Sequence, residues 1–462
     1  LDDYLGFMDL RIKEIYRILK NTGSFYLHCF TPDSKVLMSD FSFRRIDDVK
    51  VGEKVFADSS KVEKIEKIWS HNYNGIIKEI KCMGQHVPIK STPNHLFYVV
   101  KKEIRDICKR RFGCIKLDLI MNNVQKLTAD ELKVGDMLLI PKNVNRNYII
   151  SYIKTADFIQ TRTSNIRKWI PEKIIFNPRL FRFFGYYLAE GRVFFTSDKK
   201  YDKKPSGIDF TININENDIK KDIIEIGKEF FNLDASILDI PERNGCRISF
   251  FSTQMGELFL NLFNTGSSKK KICPLILNAD DNNLRSLVYG WLKGDGWHYI
   301  NIEKNINHRI GSSSSICLIN QLYLILIRLG EMPRLGISSH KGQNRSSAEK
   351  RGFYLRHTNY KVYITKSKKG SPRKHDENYI YTPITEIKDK EYNGIVYNLS
   401  IENIHSYQVN YFKVANCDSN AGFDLKILCD EIFSKNNFRR EIIWNVGSVS
   451  GFKTRAKNWI RQ

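Results

Sequence analysis

Nine cysteines occur, an odd number, and no Cys-x-x-Cys pair is among them. That absence excludes the paired spacing of common zinc sites. Cys108 and Cys114 have no partners at zinc spacing, so buried structural thiols are the default reading. No apolar run is long enough to span a bilayer. The opening Leu1-Asp2-Asp3 is acidic, and no signal-type apolar stretch follows. A soluble, cytoplasmic protein with no membrane partner is the expectation. Negative charge is also scarce, with 51 acidic against 74 basic residues and a formal net charge of +23. An excess of this size points to a polyanionic partner, nucleic acid before an anionic membrane surface. Hydrophobic content of 42% and aromatic content of 12% exclude a disordered tail. The 462 residues exceed one ordinary core and predict about three domains.

Along the chain the character changes several times. Residues 1–28 open with a helical pattern (Met8, Ile12, Ile15, Tyr16, Leu19) and close on a short strand, Ser24–His28. From Cys29 to about residue 145, short strands and turn signals predict an all-β unit. That unit echoes itself: Asp48-Val49-Lys50-Val51-Gly52-Glu53 is answered by Glu131-Leu132-Lys133-Val134-Gly135-Asp136, so a duplicated fold is expected. Residues from about 170 to 365 alternate long amphipathic helices with Lys-rich strands. Lys366–Lys374 reads as a flexible basic linker, after which strands resume to Val414. The all-β unit is thus predicted to be split by a helical one.

The edges of the foreign block carry chemistry. Cys29 opens it and Asn416-Cys417 closes it. A thiol at the first position can attack the preceding carbonyl and form a thioester. A second thiol after the block can take over the acyl group. An Asn side-chain amide can cyclise on its own carbonyl and release the far end. Thr92-Pro93-Asn94-His95 adds a hydroxyl and an imidazole in a turn, suited to activating an amide. His405 lies upstream of Asn416. In these motifs the chain resembles the inteins, with their Hint fold: Cys29–Phe56, Thr92–His95 and Gly394–Cys417 match in order and spacing. The resemblance implies that Thr92 and His95 activate the first junction, that His405 assists Asn416, and that splicing needs no cofactor. Two departures stand out. Ala415 precedes the terminal Asn where many inteins carry His, and Asn398 stands where Asp is frequent.

Within the insertion, Asn177-Pro178 starts a helix running Leu180 to Gly191. A second runs Leu284 to Gly296. Each has a Gly in mid-helix (Gly185, Gly290), then an acid five residues on (Glu190, Asp295), then a Gly. Mid-helix Gly costs about 1 kcal/mol against Ala, so its recurrence predicts close helix contact. The acids would then meet at helix C-termini, where a divalent cation relieves the repulsion and serves phosphodiester hydrolysis. These helices resemble the paired motifs of LAGLIDADG homing endonucleases. The resemblance implies two αββαββα halves forming a saddle on double-stranded DNA, a monomer, Mg2+ held by Glu190 and Asp295, and Lys271 as an accessory catalytic residue. Ser313–Gly330 fits that family's last helix.

Joining His28 to Cys417 gives a segment that resembles the strand after the catalytic motif of DNA amino-methyltransferases acting on adenine N6 or cytosine N4. That resemblance implies α/β host fragments, with S-adenosylmethionine serving only the complete host; the Asp-Pro-Pro-Tyr motif and glycine-rich cofactor loop are absent. The expected layout is therefore host 1–28, splicing region 29–150, endonuclease 170–365, splicing region 375–416 and host 417–462. The rival readings are a DNA-cleaving protein that never splices and a Hint domain that cleaves once.

Overall fold

The Lys-Val-Gly-acid echo folds twice into one turn in the computed structural model. The model describes residues 29–59, 61–112, 117–142, 149–160, 170–195, 204–301, 306–339, 357–366 and 373–416. Gly52 (φ +85°) and Gly135 (φ +101°) both take the left-handed conformation that glycine adopts without strain. The acid after each bonds back, Glu53 to the Lys50 N–H at 2.9 Å and Asp136 to the Lys133 N–H at 2.9 Å. Each glycine N–H then donates into a long strand, Gly52 to Ile65 O at 2.8 Å and Gly135 to Ile384 O at 2.9 Å.

Those long strands, Lys61–Cys82 and Tyr379–Ile401, pair antiparallel along their length. Ile65 faces Ile401 and Ile384 faces Cys82, so the two strands exchange under a local two-fold axis. The axis passes Asn74 and Asn393, which oppose one another. Around it a second repeat is visible, Tyr73-Asn74-Gly75-Ile76 and Tyr392-Asn393-Gly394-Ile395. Each tyrosine hydroxyl donates three residues ahead, to Ile76 O at 2.6 Å and Ile395 O at 2.9 Å. The Asn-Gly pairs are not turns here, because each is paired across the ladder; where short strands were expected, one long strand runs through.

The expectation of a wholly β unit also needs correction. Helices span Lys102–Phe112 and Leu117–Met121 between strands of this unit. Glu103 lies in the first turn, where negative charge is favourable. The Asp136 carboxylate accepts the Lys102 N–H at 2.8 Å, satisfying a helix-start donor.

In the first copy, Lys54–Asp58 and the long strand form a tight hairpin, with Asp58 opposite Lys61. In the second, Met137–Pro141 pairs with the other long strand, Pro141 opposite Tyr379. Residues 142–378 enter at that hairpin end. The echo and the insertion are thus one fact: a duplicated hairpin with its second turn replaced.

The inserted residues build two four-stranded antiparallel sheets of one order. The first joins Gly191–Phe195, Pro205–Asn213, Gly245–Phe251 and Ser236–Ile240; the second joins Gly296–Asn301, Ile306–Ser313, Asn359–Lys366 and Arg334–Ser339. Both sheets follow the same helix, two strands, helix, two strands. The first half ends in a third helix, Thr253–Phe263. Among the described residues the second half shows no counterpart between Asn359–Lys366 and Lys374–His375. Inward residues of the first sheet, Ile208, Phe210, Ile248 and Phe250, are buried. Phe183 packs against Phe210 with ring centres 5.0 Å apart. The linker reading is corrected at its far end as well. Arg373 is buried and donates to Pro333 O at 2.8 Å, which anchors it to the insertion.

The two parts share one hydrophobic cluster. Helix Ile316–Arg328 supplies Tyr323, which accepts a hydrogen bond from Gln85 at 2.6 Å and packs 4.8 Å from the Tyr411 ring. The Tyr411 hydroxyl donates to Asn320 at 2.7 Å.

The candidate junction site and the candidate acid pair

Cys29 is fully buried. Its N–H donates to Thr92 Oγ1 at 2.9 Å, and its carbonyl accepts the Thr92 N–H at 2.9 Å. Thr92 therefore grips the nitrogen side of the peptide joining residues 28 and 29. The turn is closed by the His95 N–H donating to Thr92 O at 3.1 Å, with proline second in it as that geometry favours. The buried His95 ring lies 4.0 Å, centre to centre, from the ring of Phe30. Phe30 is held in turn by a reciprocal pair of 2.8 Å bonds with Tyr397.

The far end of the block arrives beside it. Strand Phe412–Ala415 pairs antiparallel with Leu96–Val100, Val414 facing Phe97. That strand leads directly into Asn416, and the strand beside it follows directly from His95. Asn416 is buried; with its amide oriented so that both ends are satisfied, the nitrogen donates to His405 O at 3.1 Å and the oxygen accepts from the Ile401 N–H at 3.0 Å. His405 thus meets Asn416 through its carbonyl, while its side chain is exposed. Asn398 is buried, its oxygen accepting from Tyr407 Oη at 2.6 Å and the Leu399 N–H at 2.8 Å. That commitment ties it to the hairpin that carries Asn416. Cys417 lies outside the described residues, as do both host segments, 1–28 and 417–462.

The acid helices, Pro178–Glu190 and Asp281–Asp295, touch backbone to backbone. A side chain on Gly185 would overlap Leu287 O, and one on Gly290 would overlap Arg182 O. A methyl on Gly294 would sit 3.4 Å from Glu190 Oε1, which places that carboxyl against the residue next to Asp295. The two glycines therefore set the separation of the acids. Gly290→Ala is expected to lower stability. Helix propensity returns about 1 kcal/mol, whereas overpacking costs about 3 kcal/mol when backbone must move. Thermal unfolding of the purified protein checks the net loss.

Burial acts on both acids, and at Asp295 the charge of Glu190 adds to it. Asp295 is pushed up to about 7, by burial first and then by the charge of Glu190. Glu190 is also raised, chiefly by burial. Facing them is Lys270, whose ammonium donates to Tyr187 O at 2.9 Å, Leu188 O at 2.9 Å and Ala189 O at 3.0 Å. It covers the last free carbonyls of the first acid helix and offsets part of the dipole conflict there. Burial lowers its proton affinity, and the two carboxylates oppose that shift. Lys271 is exposed, its N–H bonded to Phe263 O. The side chain next to the acids is Lys270. The sequence held a signal for it, since of the three successive lysines, Lys269–Lys271, only Lys270 shares the side of Ile272 in an extended segment.

A cavity of about 160 Å³ is lined by Leu188, Ala189, Lys270, Asp295, Ser312 and Asn359 among others. Among the described residues no group of three or more His, Cys, Asp or Glu side chains could hold a metal. Two half-buried carboxylates nevertheless fit a hard cation such as Mg2+, which commonly takes one or two protein carboxylates and completes its shell with water and phosphate oxygens. The sign of the pH dependence follows. Cation binding needs ionised acids, so affinity falls as pH drops through about 7. Without a cation, an acid whose folded value is raised makes the fold less stable as pH rises from 3.8 through about 7. Mg2+ is therefore expected to raise the melting temperature near pH 8 and to have little effect near pH 5, as thermal shift at several pH values can check.

The outer sheet faces carry basic side chains, Arg192 and Arg247 on the first sheet and Arg334 and Lys361 on the second. Arg192 is paired with Asp209 at 2.8 Å, and Lys361 lies 4.5 Å over the ring of Trp297.

No family model matches the chain. It is 29% identical over 440 residues to an uncharacterized protein of Methanocaldococcus jannaschii, covering 87% of this chain and 52% of that protein. It is 24% identical over 415 residues to the ATP-dependent DNA helicase Hel308 of Thermococcus kodakarensis, covering 83% and 36%. It is 23% identical over 417 residues to an iron-sulfur cluster assembly SufBD family protein of Mycobacterium tuberculosis, covering 87% and 44%. The chain thus spans about half or less of each of these relatives. Among solved structures, the homing endonuclease I-DmoI in complex with DNA and Mn aligns with a TM-score of 0.28 at 14% identity, over 40% of this chain and 89% of that one. A bacterial intein-like domain from Clostridium thermocellum aligns with a TM-score of 0.18 at 21% identity, over 25% and 67%. No described helix is long and apolar enough to cross a membrane.

Proposed function

We propose that residues 29–416 excise themselves and join their flanks, and that the inserted part cleaves double-stranded DNA. The observation that carries the first half is the meeting of the two edges. Cys29 lies on Thr92, and the strand that ends at Asn416 pairs with the strand that follows His95, so both junctions come to one turn. Cys29 sulfur attacks the carbonyl of residue 28, His95 protonates the departing nitrogen, Cys417 takes over the acyl group, and Asn416 cyclises to release the end. The relatives support a mobile element: most of this chain recurs in part of an ATP-dependent DNA helicase and in part of an iron-sulfur cluster assembly protein, two unlike hosts.

For the second half, Glu190 and Asp295 would hold Mg2+, which would polarise a phosphodiester oxygen and help to generate the attacking hydroxide. Lys270 braces the helix end beneath them, and the basic sheet faces hold the phosphates. Residues 1–28 and 417–462 we assign, on their sequence alone, to a DNA amino-methyltransferase host.

The decisive experiment is mass spectrometry of the expressed chain. Splicing yields a free 29–416 segment and a product joining 1–28 to 417–462. A single cut with no joined product supports the one-cleavage Hint reading. An intact chain that cleaves DNA supports the non-splicing one.

A further inference from the structure

We propose that His71 is a further catalytic residue of the first splicing step, the base that receives the Cys29 thiol proton. The inference rests on the splicing reading above. Cys29 Sγ lies 3.8 Å from His71 Nδ1, within hydrogen-bond reach for sulfur. No motif of the sequence pointed to His71. It sits on the long strand Lys61–Cys82, opposite Val396, and Cys29 comes to it only because Phe30 is bonded to Tyr397, the next residue along that partner strand.

The surroundings suit a base. Tyr73, Ile77 and Val396 pack around Cys29, with Trp69 and Tyr392 at the margin. Such a lining disfavours a lone thiolate, and an ordinary thiol is only a few per cent ionised at neutral pH. An imidazole that takes the proton as the sulfur–carbon bond forms avoids that charged intermediate state. Among the described residues, Tyr73 and Tyr392 are the titratable members of that lining, and each hydroxyl donates to a backbone carbonyl. Burial alone lowers the proton affinity of His71, which keeps the ring neutral and able to accept. Its Nε2 is buried without a hydrogen-bond partner among the described residues, so nothing there fixes the opposite tautomer.

The step balances without an oxidant or reductant. The sulfur electron pair forms the bond to the carbonyl carbon of residue 28, and the thiol proton passes to His71 Nδ1. The bond from that carbon to the Cys29 nitrogen breaks, its electrons leave on nitrogen, and His95 supplies the proton that makes the amine. The two imidazoles thus work on opposite sides of one peptide bond.

The test uses the full chain with Cys417→Ala and Asn416→Ala, so that only the first junction reacts, and follows cleavage after residue 28 by an added thiol. His71→Gln keeps a polar group near the sulfur but cannot accept the proton. It is expected to slow cleavage about 100-fold near pH 7, a usual effect of losing a general base. Its rate should then climb about tenfold per pH unit toward the thiol range, where the parent profile is flat. Equal rates and equal profiles overturn the proposal. If the parent itself releases no residue 1–28 fragment, the splicing reading fails and takes this inference with it. To separate misfolding from chemistry, His71→Gln is also placed in the chain with Asn416 intact and Cys29→Ala. Retained cleavage after Asn416 there establishes the fold. If that cleavage is lost, His71→Asn replaces Gln in both chains, with the same profile expected.

Discussion

Glu190→Gln combined with Asp295→Asn is expected to abolish DNA cleavage while the chain still excises residues 29–416 at the parent rate. Both substitutions preserve shape and remove charge. A bound cation supplies several kcal/mol of transition-state stabilisation, about three powers of ten in rate at 1.36 kcal/mol each. Stability should move the other way. Two raised carboxyls are forced to ionise at neutral pH, so the neutral pair is expected to melt higher than the parent in the absence of divalent cation. A gain in melting temperature with a loss of cleavage is hard to obtain from misfolding. The assay is cleavage of a plasmid carrying the uninterrupted host sequence, beside mass analysis of excision. Loss of both activities contradicts two separate sites.

Cys29→Ala is expected to remove ligation completely while release after Asn416 continues. The methyl has no lone pair to attack residue 28, and no neighbouring hydroxyl can replace it, because the Thr92 side chain is engaged with the Cys29 backbone. Asn416 is held by Ile401 and His405, neither of which depends on the sulfur. Gel analysis should therefore show a cut at the far junction and no joined flanks. A ligated product from this variant would mean that the first nucleophile lies elsewhere. With Asn416→Ala the pattern should invert, and a branched or thioester-linked species should accumulate.

Much of this was legible in the residues. The duplicated Lys-Val-Gly-acid turn was visible because its glycines need a left-handed backbone and its acids must close the turn, and those demands are local. The paired Gly–acid helices were visible for a similar reason, since a repeated mid-helix glycine has a cost that close packing explains. The long strands were not. Asn-Gly reads as a turn signal, and only pairing of Asn74 with Asn393 across the two-fold axis keeps the chain extended there. The helix Lys102–Phe112 was also missed, since short strands dominate its neighbourhood.

The functional residues divide in the same way. Residue type and spacing alone nominated Cys29, Thr92, His95, Asn416, Glu190 and Asp295, because each chemistry demands a particular group at an edge, a turn or a helix end. Only the tertiary fold decided that the strand leading to Asn416 pairs beside the His95 turn, that Lys270 and not Lys271 lies against the acids, and that His71 reaches the Cys29 sulfur. These contacts join residues far apart in sequence through strand register and side-chain direction, and a one-residue slip in either would point every one of them the other way.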